Sequence, residues 1–332
     1  MQKKVSGTLL AIAIPFFVVI IIPLFIVTLF EVALRIHPQL IDQEYVNYVF
    51  GKQTRRDSGI FEYDPDLKIY FMKKNFYTTM YANGYVWDHQ TDARGFRNPT
   101  AKETSDIVLL GDSFVYGHGV NQDQTLAYFL ETKGYSAYNL AQQGDNAYSE
   151  MYMLSQYGLF LKPKYVFYFY FTNDIKDLFM RGLDKEQMRE FIKQPMESIS
   201  FKESTNKINF PNTLSDKFYI GKYLKFRKLV LDKKKKSQSV DTDLGWKFTK
   251  KAIEYMAYIS KQNGVEFVMV PIVKDTFEDY QILKDFSSEH NIAFVETLDM
   301  NNENYYLQND GHFNEEGHRK MAELIETYLQ TH

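Results

Sequence analysis

Ser113, Asp310 and His312 are the residues whose types and placement point most directly to chemistry. Ser113 ends the stretch Leu109-Leu110-Gly111-Asp112-Ser113 and is followed by Phe114-Val115-Tyr116-Gly117. A serine after such an apolar run sits at the carboxyl end of a strand, where open α/β sheets build their sites. Gly111 permits a tight turn that lifts the side chain clear. The Ser113 backbone N–H can then point at a developing oxyanion. Read alone, Gly-Asp-Ser equally fits an ordinary strand-to-helix turn with the serine as a helix cap. The other end of the chain separates the two readings. In Asn309-Asp310-Gly311-His312-Phe313-Asn314, a carboxylate and an imidazole lie two residues apart on a loop. A serine nucleophile needs a base for its proton, and that base needs a partner to fix its tautomer and stabilise the imidazolium. His318 is a competing histidine, but it falls inside the expected last helix and reads as packed or surface. A cation held by Asp310, His312 and His318 would need further ligands that are not evident.

Two more polar clusters close apolar runs. Phe171-Thr172-Asn173-Asp174 follows YVFYFY, and the Asn173 amide can donate to an oxyanion. Gln143-Gly144-Asp145-Asn146 follows the run ending at Leu140, and Gly144 offers an unobstructed backbone N–H. Each cluster by itself reads as a cap or turn. Four at four strand ends are hard to explain as four turns.

The elements that must position these residues follow from periodicity. Short apolar runs at 106–110, 136–140, 165–171, 265–273 and 293–298 read as buried parallel strands. Helical patterns at about 123–132, 147–160, 246–262, 276–289 and 315–330 fill the gaps, which argues for a parallel α/β sheet covered on both faces. The pattern breaks between 176 and 245. That insertion is expected to hold helices of its own or to act as a lid. It carries Lys233-Lys234-Lys235-Lys236, a run that binds anionic lipid or polymer or, more commonly, forms a solvated linker. Residues 31–100 carry turn signals at Asp64-Pro65, Asn83-Gly84, Arg94-Gly95 and Asn98-Pro99, and read as an irregular, strand-containing juxtamembrane extension packed on the main domain.

From Val5 to Phe30 no residue is charged, which is long enough to span a bilayer at about 20 apolar residues. A cleaved signal has a shorter apolar region followed by small residues, and Glu31-Val32-Ala33-Leu34-Arg35 lacks that pattern. Lys3 and Lys4 precede the span, which places the N-terminus in the cytoplasm and residues 31–332 outside; Arg55 and Arg56 oppose this from a distance at which the rule weakens. The chain divides accordingly into a stub and anchor (1–30), the extension (31–100) and a catalytic domain (101–332). A net charge of −3 gives no bias toward nucleic acid. The absence of cysteine excludes disulfides, thiolate metal sites and cysteine nucleophiles. Aromatic residues reach 16 %, which can furnish a core or line a site for sugars or acyl chains.

With these residues in view, the chain from about 94 to 330 resembles the SGNH/GDSL hydrolase superfamily, especially its membrane-anchored bacterial members. LLGDSFVYGHGV, NLAQQGDNAYSE, YFTNDIKD and DGHFNEEGH resemble its four blocks in order. The resemblance implies a flavodoxin-like three-layer α/β/α sandwich with a five-stranded parallel sheet. It also implies Ser113 as nucleophile, Gly144 and Asn173 as oxyanion donors beside the Ser113 N–H, and Asp310 and His312 completing the triad, with no cofactor or metal. Two departures stand out: Phe171 occupies a place where the third block often has Gly, and the last block reads Asp-x-His rather than Asp-x-x-His. The expected activity is ester cleavage on an acylated, mainly acetylated, cell-envelope glycan or lipid, through an acyl-enzyme. O-acyl transfer to a surface polysaccharide uses the same residues, and a catalytically silent binding protein is the alternative from another class.

Overall fold

The computed structural model describes Pro15 and residues 17–51, 59–180, 183–209, 214–237 and 240–332. Lys3, Lys4, most of the run from Val5 to Phe16, and Arg55-Arg56 lie outside the described residues. The chain forms two compact units. One is built from residues up to Phe50 together with 212–231, and the other from 51–211 and 232–332.

The larger unit is organised by a parallel sheet. Its strands are β5 (Ile107–Leu110), β6 (Ala137–Asn139), β7 (Tyr165–Tyr170), β9 (Glu266–Pro271) and β10 (Ala293–Phe294), in the spatial order β10-β9-β7-β5-β6. All neighbouring pairs are parallel. These are the five strands expected from the apolar runs, trimmed at their ends. Alternation along a strand sends successive side chains to opposite faces, and two separate cores result. Val108, Leu110, Tyr168 and Met269 face helices Ala147–Met153, Thr242–Gln262 and Glu278–Glu289. Ile107, Leu109, Phe167, Phe169 and Val268 face helices Leu126–Thr132 and Glu315–Thr331. Burying a side chain such as Phe167 contributes roughly 1.5–3 kcal/mol. The result is the three-layer α/β/α sandwich expected from the sequence.

The helix expected at 147–160 is regular only to Met153; a π turn (Leu154–Gly158) and a 3-10 turn (Leu159–Leu161) follow. Gly158 lies against Leu140 and Val108, so the chain passes close under the sheet there. The region before the sheet has strands β1 (Phe61–Asp64) and β2 (Ile69–Met72), joined antiparallel to each other and, at β1, to β8 (Ile208–Asn209). It also holds the hairpin β3 (Tyr77–Ala82) and β4 (Tyr85–Gln90), which turns at Asn83-Gly84. Both turn residues have positive φ, 49° and 92°, as a two-residue hairpin turn that follows the strand twist requires.

The insertion between 176 and 245 holds helices Lys185–Lys193 and Tyr219–Ser237 and the start of Thr242–Gln262. The solvated-linker reading of Lys233–Lys236 is therefore corrected, since helix Tyr219–Ser237 runs through all four positions. Lysine is a good helix former, and the apolar stripe of the preceding turns nucleates the helix it extends.

In the smaller unit, residues Phe17–Ile36 form one helix that is long and apolar enough to cross a membrane, with mean hydropathy 2.8 and almost no burial. It is followed by helix Gln43–Phe50. Leu34, Tyr45, Tyr48 and Val49 pack with Phe226 of helix Tyr219–Ser237. Glu31 accepts hydrogen bonds from the Tyr219 and Ile220 backbone N–H groups at 3.0 and 2.9 Å. These are orphan donors of a helix N-terminus, so a side chain of one helix caps another.

Candidate active site

Strand β5 ends at Leu110, and the chain turns at Gly111 into the short helix Ser113–Tyr116. A Cβ on Gly111 would lie 2.7 Å from the Val115 side chain and 3.2 Å from Phe169, so no larger residue fits the turn. Asp112 caps the helix by accepting from the Phe114 N–H at 2.9 Å. The helix closes at Gly117 (φ 89°), where the N–H groups of Gly117 and His118 both return to the Ser113 carbonyl. That left-handed closure folds His118 back over the turn that carries Ser113.

Ser113 Oγ lies 2.8 Å from His312 Nε2. His312 Nδ1 is hydrogen-bonded to Asp310 Oδ1. The structure thus brings Ser113 into one hydrogen-bonded series with the Asp310–His312 pair, His312 being 199 positions further along the chain. Asp310 is 2 % exposed at its side chain, whereas His312 keeps 24 % and reaches solvent. Burial pushes the Asp310 carboxyl up, but hydrogen bonds and charge from His118 and His312 outweigh it and hold it well below the usual carboxylate range. Burial pulls the His312 imidazole down, and nearby His118 adds to this; the Asp310 hydrogen bond and charge oppose both without reversing the shift. His312 is therefore neutral at neutral pH and able to take a proton.

The other two candidates sit at adjoining strand ends. Asn173 follows β7, and its amide nitrogen donates to Asp177 at 3.0 Å; it also hydrogen-bonds Asp112. Gly144 lies with φ 68° in the turn from Gln142 to Asp145, just past β6. That turn follows the strand paired with β5, so both candidates flank the strand that leads into Ser113. Phe171, at the position where the third block departs from the family pattern, packs on Phe114 with ring centroids 4.5 Å apart. Phe114 in turn packs on the His312 ring at 5.0 Å.

His318 is buried in helix Glu315–Thr331 and is not part of this group. Burial holds its imidazole down at about 3. The histidine that joins Asp310 and His312 is instead His118, whose Nε2 lies 3.6 Å from Asp310 Oδ2. Its ring stacks on His312 at 4.2 Å. The metal alternative built on His318 is thereby corrected: among the described residues, His118, Asp310 and His312 are the three whose ligand atoms cluster within 4.8 Å. Both ring nitrogens of His312 are engaged within the protein, Nε2 by Ser113 and Nδ1 by Asp310.

Three supports were not singled out as functional from sequence. Asn83, at the tip of the β3–β4 hairpin, donates to Asp310 Oδ2 at 2.7 Å. Trp87 of β4 packs on His118 at 4.7 Å. Arg97 is wholly buried and donates to the carbonyls of Asp88, Tyr116, Gly117 and Val120. It ties β4 to the loop behind Ser113. The Asn83-Gly84 pair signals a turn in the sequence, but nothing there says that the turn reaches Asp310.

A family model described as GDSL-like lipase/acylhydrolase matches residues 107–325, about two thirds of the chain. The chain belongs to this family. It is accordingly a hydrolase acting on ester bonds. Solved structures similar to it include a G-D-S-L family lipolytic protein from Desulfitobacterium hafniense, with 14 % identity, TM-score 0.39, and 68 % of this chain and 99 % of that one covered. A psychrotrophic esterase from a Pseudoalteromonas species has 13 % identity, TM-score 0.39, and coverage of 69 % and 100 %. A lipase/acylhydrolase from Enterococcus faecalis has 14 % identity, TM-score 0.39, and coverage of 68 % and 95 %. At these values none of them lends this chain a substrate. No curated protein matches the chain.

Proposed function

We propose that this GDSL-family hydrolase is a membrane-anchored serine esterase that works outside the cytoplasm on acyl esters, chiefly acetyl esters, of a cell-envelope glycan or lipid. The observation that carries the catalytic part is the hydrogen-bonded series Ser113–His312–Asp310. In the first half-reaction His312 Nε2 takes the Ser113 proton as Oγ bonds to the ester carbonyl carbon. Asp310 holds Nδ1–H and stabilises the imidazolium. The Ser113 and Gly144 N–H groups and the Asn173 amide stabilise the oxyanion. Collapse breaks the bond to the leaving alcohol, which takes the proton from Nε2. Water then repeats the steps in reverse order and releases the acid. If a sugar hydroxyl attacks instead, the same acyl-enzyme gives transfer. The Asn173 amide carries two N–H groups; Asp177 and Asp112 hold it in the unliganded site, and donation to substrate requires the amide to exchange its bond to Asp112 for one to the oxyanion.

The anchor part rests on the apolar helix Phe17–Ile36 and on Lys3 and Lys4 before it. Protease added to intact cells or spheroplasts is expected to remove a C-terminal tag; protection until lysis would reverse the orientation. A fluorophosphonate is expected to label wild type and not Ser113→Ala. Asn173→Ala is expected to label more slowly, by roughly 100-fold for one lost oxyanion donor. An activated acetyl ester offered with and without surface glycan separates hydrolysis, which releases acid at an unchanged rate, from transfer, which acylates the glycan. A wild type that never labels would leave only the silent binding-protein reading.

A further inference from the structure

Helix Tyr219–Ser237 has two unlike faces. Tyr219, Tyr223, Phe226 and Val230, spaced by four, three and four, turn inward with Leu34, Tyr45 and Tyr48. Leu224, Arg227, Lys228, Leu231 and Lys235 follow the i, i+3, i+4, i+7, i+11 spacing of a second face, and all five are exposed. Leu224 is 63 % and Leu231 54 % exposed, and Leu214 and Phe218 just ahead of the helix are 70 % and 51 % exposed. Asp232 is the only acidic residue from Tyr219 to Ser237. Leucines at the centre of a face edged by Lys and Arg form the pattern of a helix lying in a membrane interface. The apolar side chains enter the acyl boundary while the cationic heads stay at the headgroups.

The position of this helix fits that role. Glu31 caps its first N–H groups, Arg35 donates to the Lys217 carbonyl at 3.2 Å, and Phe30 meets Tyr223 at 5.9 Å. These partners all lie in the last two turns of Phe17–Ile36, so the helix starts level with the end of the apolar helix. We propose that residues 214–235 form an interfacial element that binds the anionic headgroup layer of the bilayer that Phe17–Ile36 spans. The proposal rests on the anchor reading given above. Each Lys or Arg near an anionic surface favours the bound state by about fivefold, so the exposed cations select for acidic lipid.

The chain has no cysteine, which allows single reporters. Leu224→Cys, Leu231→Cys, Val27→Cys and Gln262→Cys would each be labelled with an environment-sensitive fluorophore. The full-length protein would then be placed in phosphatidylcholine nanodiscs with or without phosphatidylglycerol. Iodide quenching at 224 and 231 is expected to fall about threefold or more when phosphatidylglycerol is present. Quenching at 262 should not change. Arg227→Glu with Lys228→Glu is expected to restore quenching at 224 and 231. Labels at 224 and 231 that quench like 262 in the acidic discs, while 27 stays shielded, overturn the proposal and leave the anchor standing. A label at 27 that quenches like 262 removes the anchor itself, and the proposal with it. Equal shielding by soluble dextran sulfate in the neutral discs assigns the face to a polyanion and also overturns it.

Discussion

Asp112 gives the sharpest quantitative test, because its burial has a calculable consequence. It lies beside Ser113 at the mouth of the turn and is 2 % exposed. Burial pushes its carboxyl up from 3.8 to about 6, with nearby Asp177 adding to the rise; hydrogen bonds from the Phe114 N–H, Asn173 and Ser113 oppose it. The folded-state value thus stands above the unfolded one. Below pH 3.8 the group is protonated in both states and costs the fold nothing. Between 3.8 and about 6 the unfolded chain ionises first, so stability is lost as pH rises. Above about 6 the loss is complete. A difference of about two units corresponds to ~3 kcal/mol. Asp112→Asn keeps a side-chain oxygen for the cap, and Asn caps as well as Asp, but it removes the titration. Relative to wild type, the variant should therefore gain ~2.5 kcal/mol from pH 4 to pH 7, or roughly 3–5 °C in melting temperature for a chain of this size. Burial pushes Glu150 and Asp174 up, the charge of Asp145 adds at Glu150 and that of Glu150 at Asp174, and Asp112 adds to both shifts. Removing Asp112 eases them as well, which enlarges the gain. Melting of the full-length protein in detergent across this pH range measures it. A variant-minus-wild-type difference that is flat or shrinks as pH rises would falsify the burial argument.

The remaining predictions follow from the same site. Arg97→Met should lower stability by about 3 kcal/mol or more, since it strands buried carbonyls that lose a charged donor; a melting temperature equal to wild type would show that water replaces the guanidinium. Fluorophosphonate labelling should fall toward acid pH with a midpoint below the ordinary histidine value, because burial pulls His312 down. In His118→Gln that midpoint should move to higher pH, since the charge of His118 is one of the causes that lower His312; an unmoved acid limb would deny the electrostatic link. Asn83→Ala should slow labelling while Asn83→Asp, which sets a second carboxylate against Asp310, should slow it more; equal rates in all three proteins would remove Asn83 from the machinery.

The layers of the sandwich were readable because parallel strands buried on both faces are apolar throughout. YVFYFY at 165–170 needs no partner information to be recognised as a central strand. Helices Thr242–Gln262 and Glu315–Thr331 present one apolar stripe each and were found near their true ends. The insertion was expected to hold helices of its own, but helix Tyr219–Ser237 could not be placed within it because its stripe is aromatic, interrupted by lysines, and completed by residues almost two hundred positions earlier. Its N-cap comes from Glu31 rather than from its own flank, so the usual start signal is absent.

The same distinction divides the site. Ser113, Asp310 and His312 were legible because a serine, a carboxylate and an imidazole are distinctive residue types in turns that the strand pattern puts at one sheet edge. His118 lies in the stretch just after Ser113 and Asn83 in a hairpin-turn signal, and neither residue type marks a role at its place. Their roles depend on the Gly117 closure that swings His118 over Ser113 and on a hairpin tip that reaches Asp310 from 227 residues away. Arg97 was hidden more deeply still, because its acceptors are backbone carbonyls. Every residue has a carbonyl, so the residue types at Tyr116 and Val120 do not record the contact; Gly117 alone bears on it, since a Cβ there would lie 2.9 Å from the Arg97 guanidinium. What a sequence displays is the chemistry of side chains that act on each other; what it conceals is the support they draw from the main chain. Asp310 shows both, since its pairing with His312 is written in an Asp-x-His spacing while the Asn83 amide that donates to its second oxygen and the His118 ring 3.6 Å from it are set by tertiary structure alone.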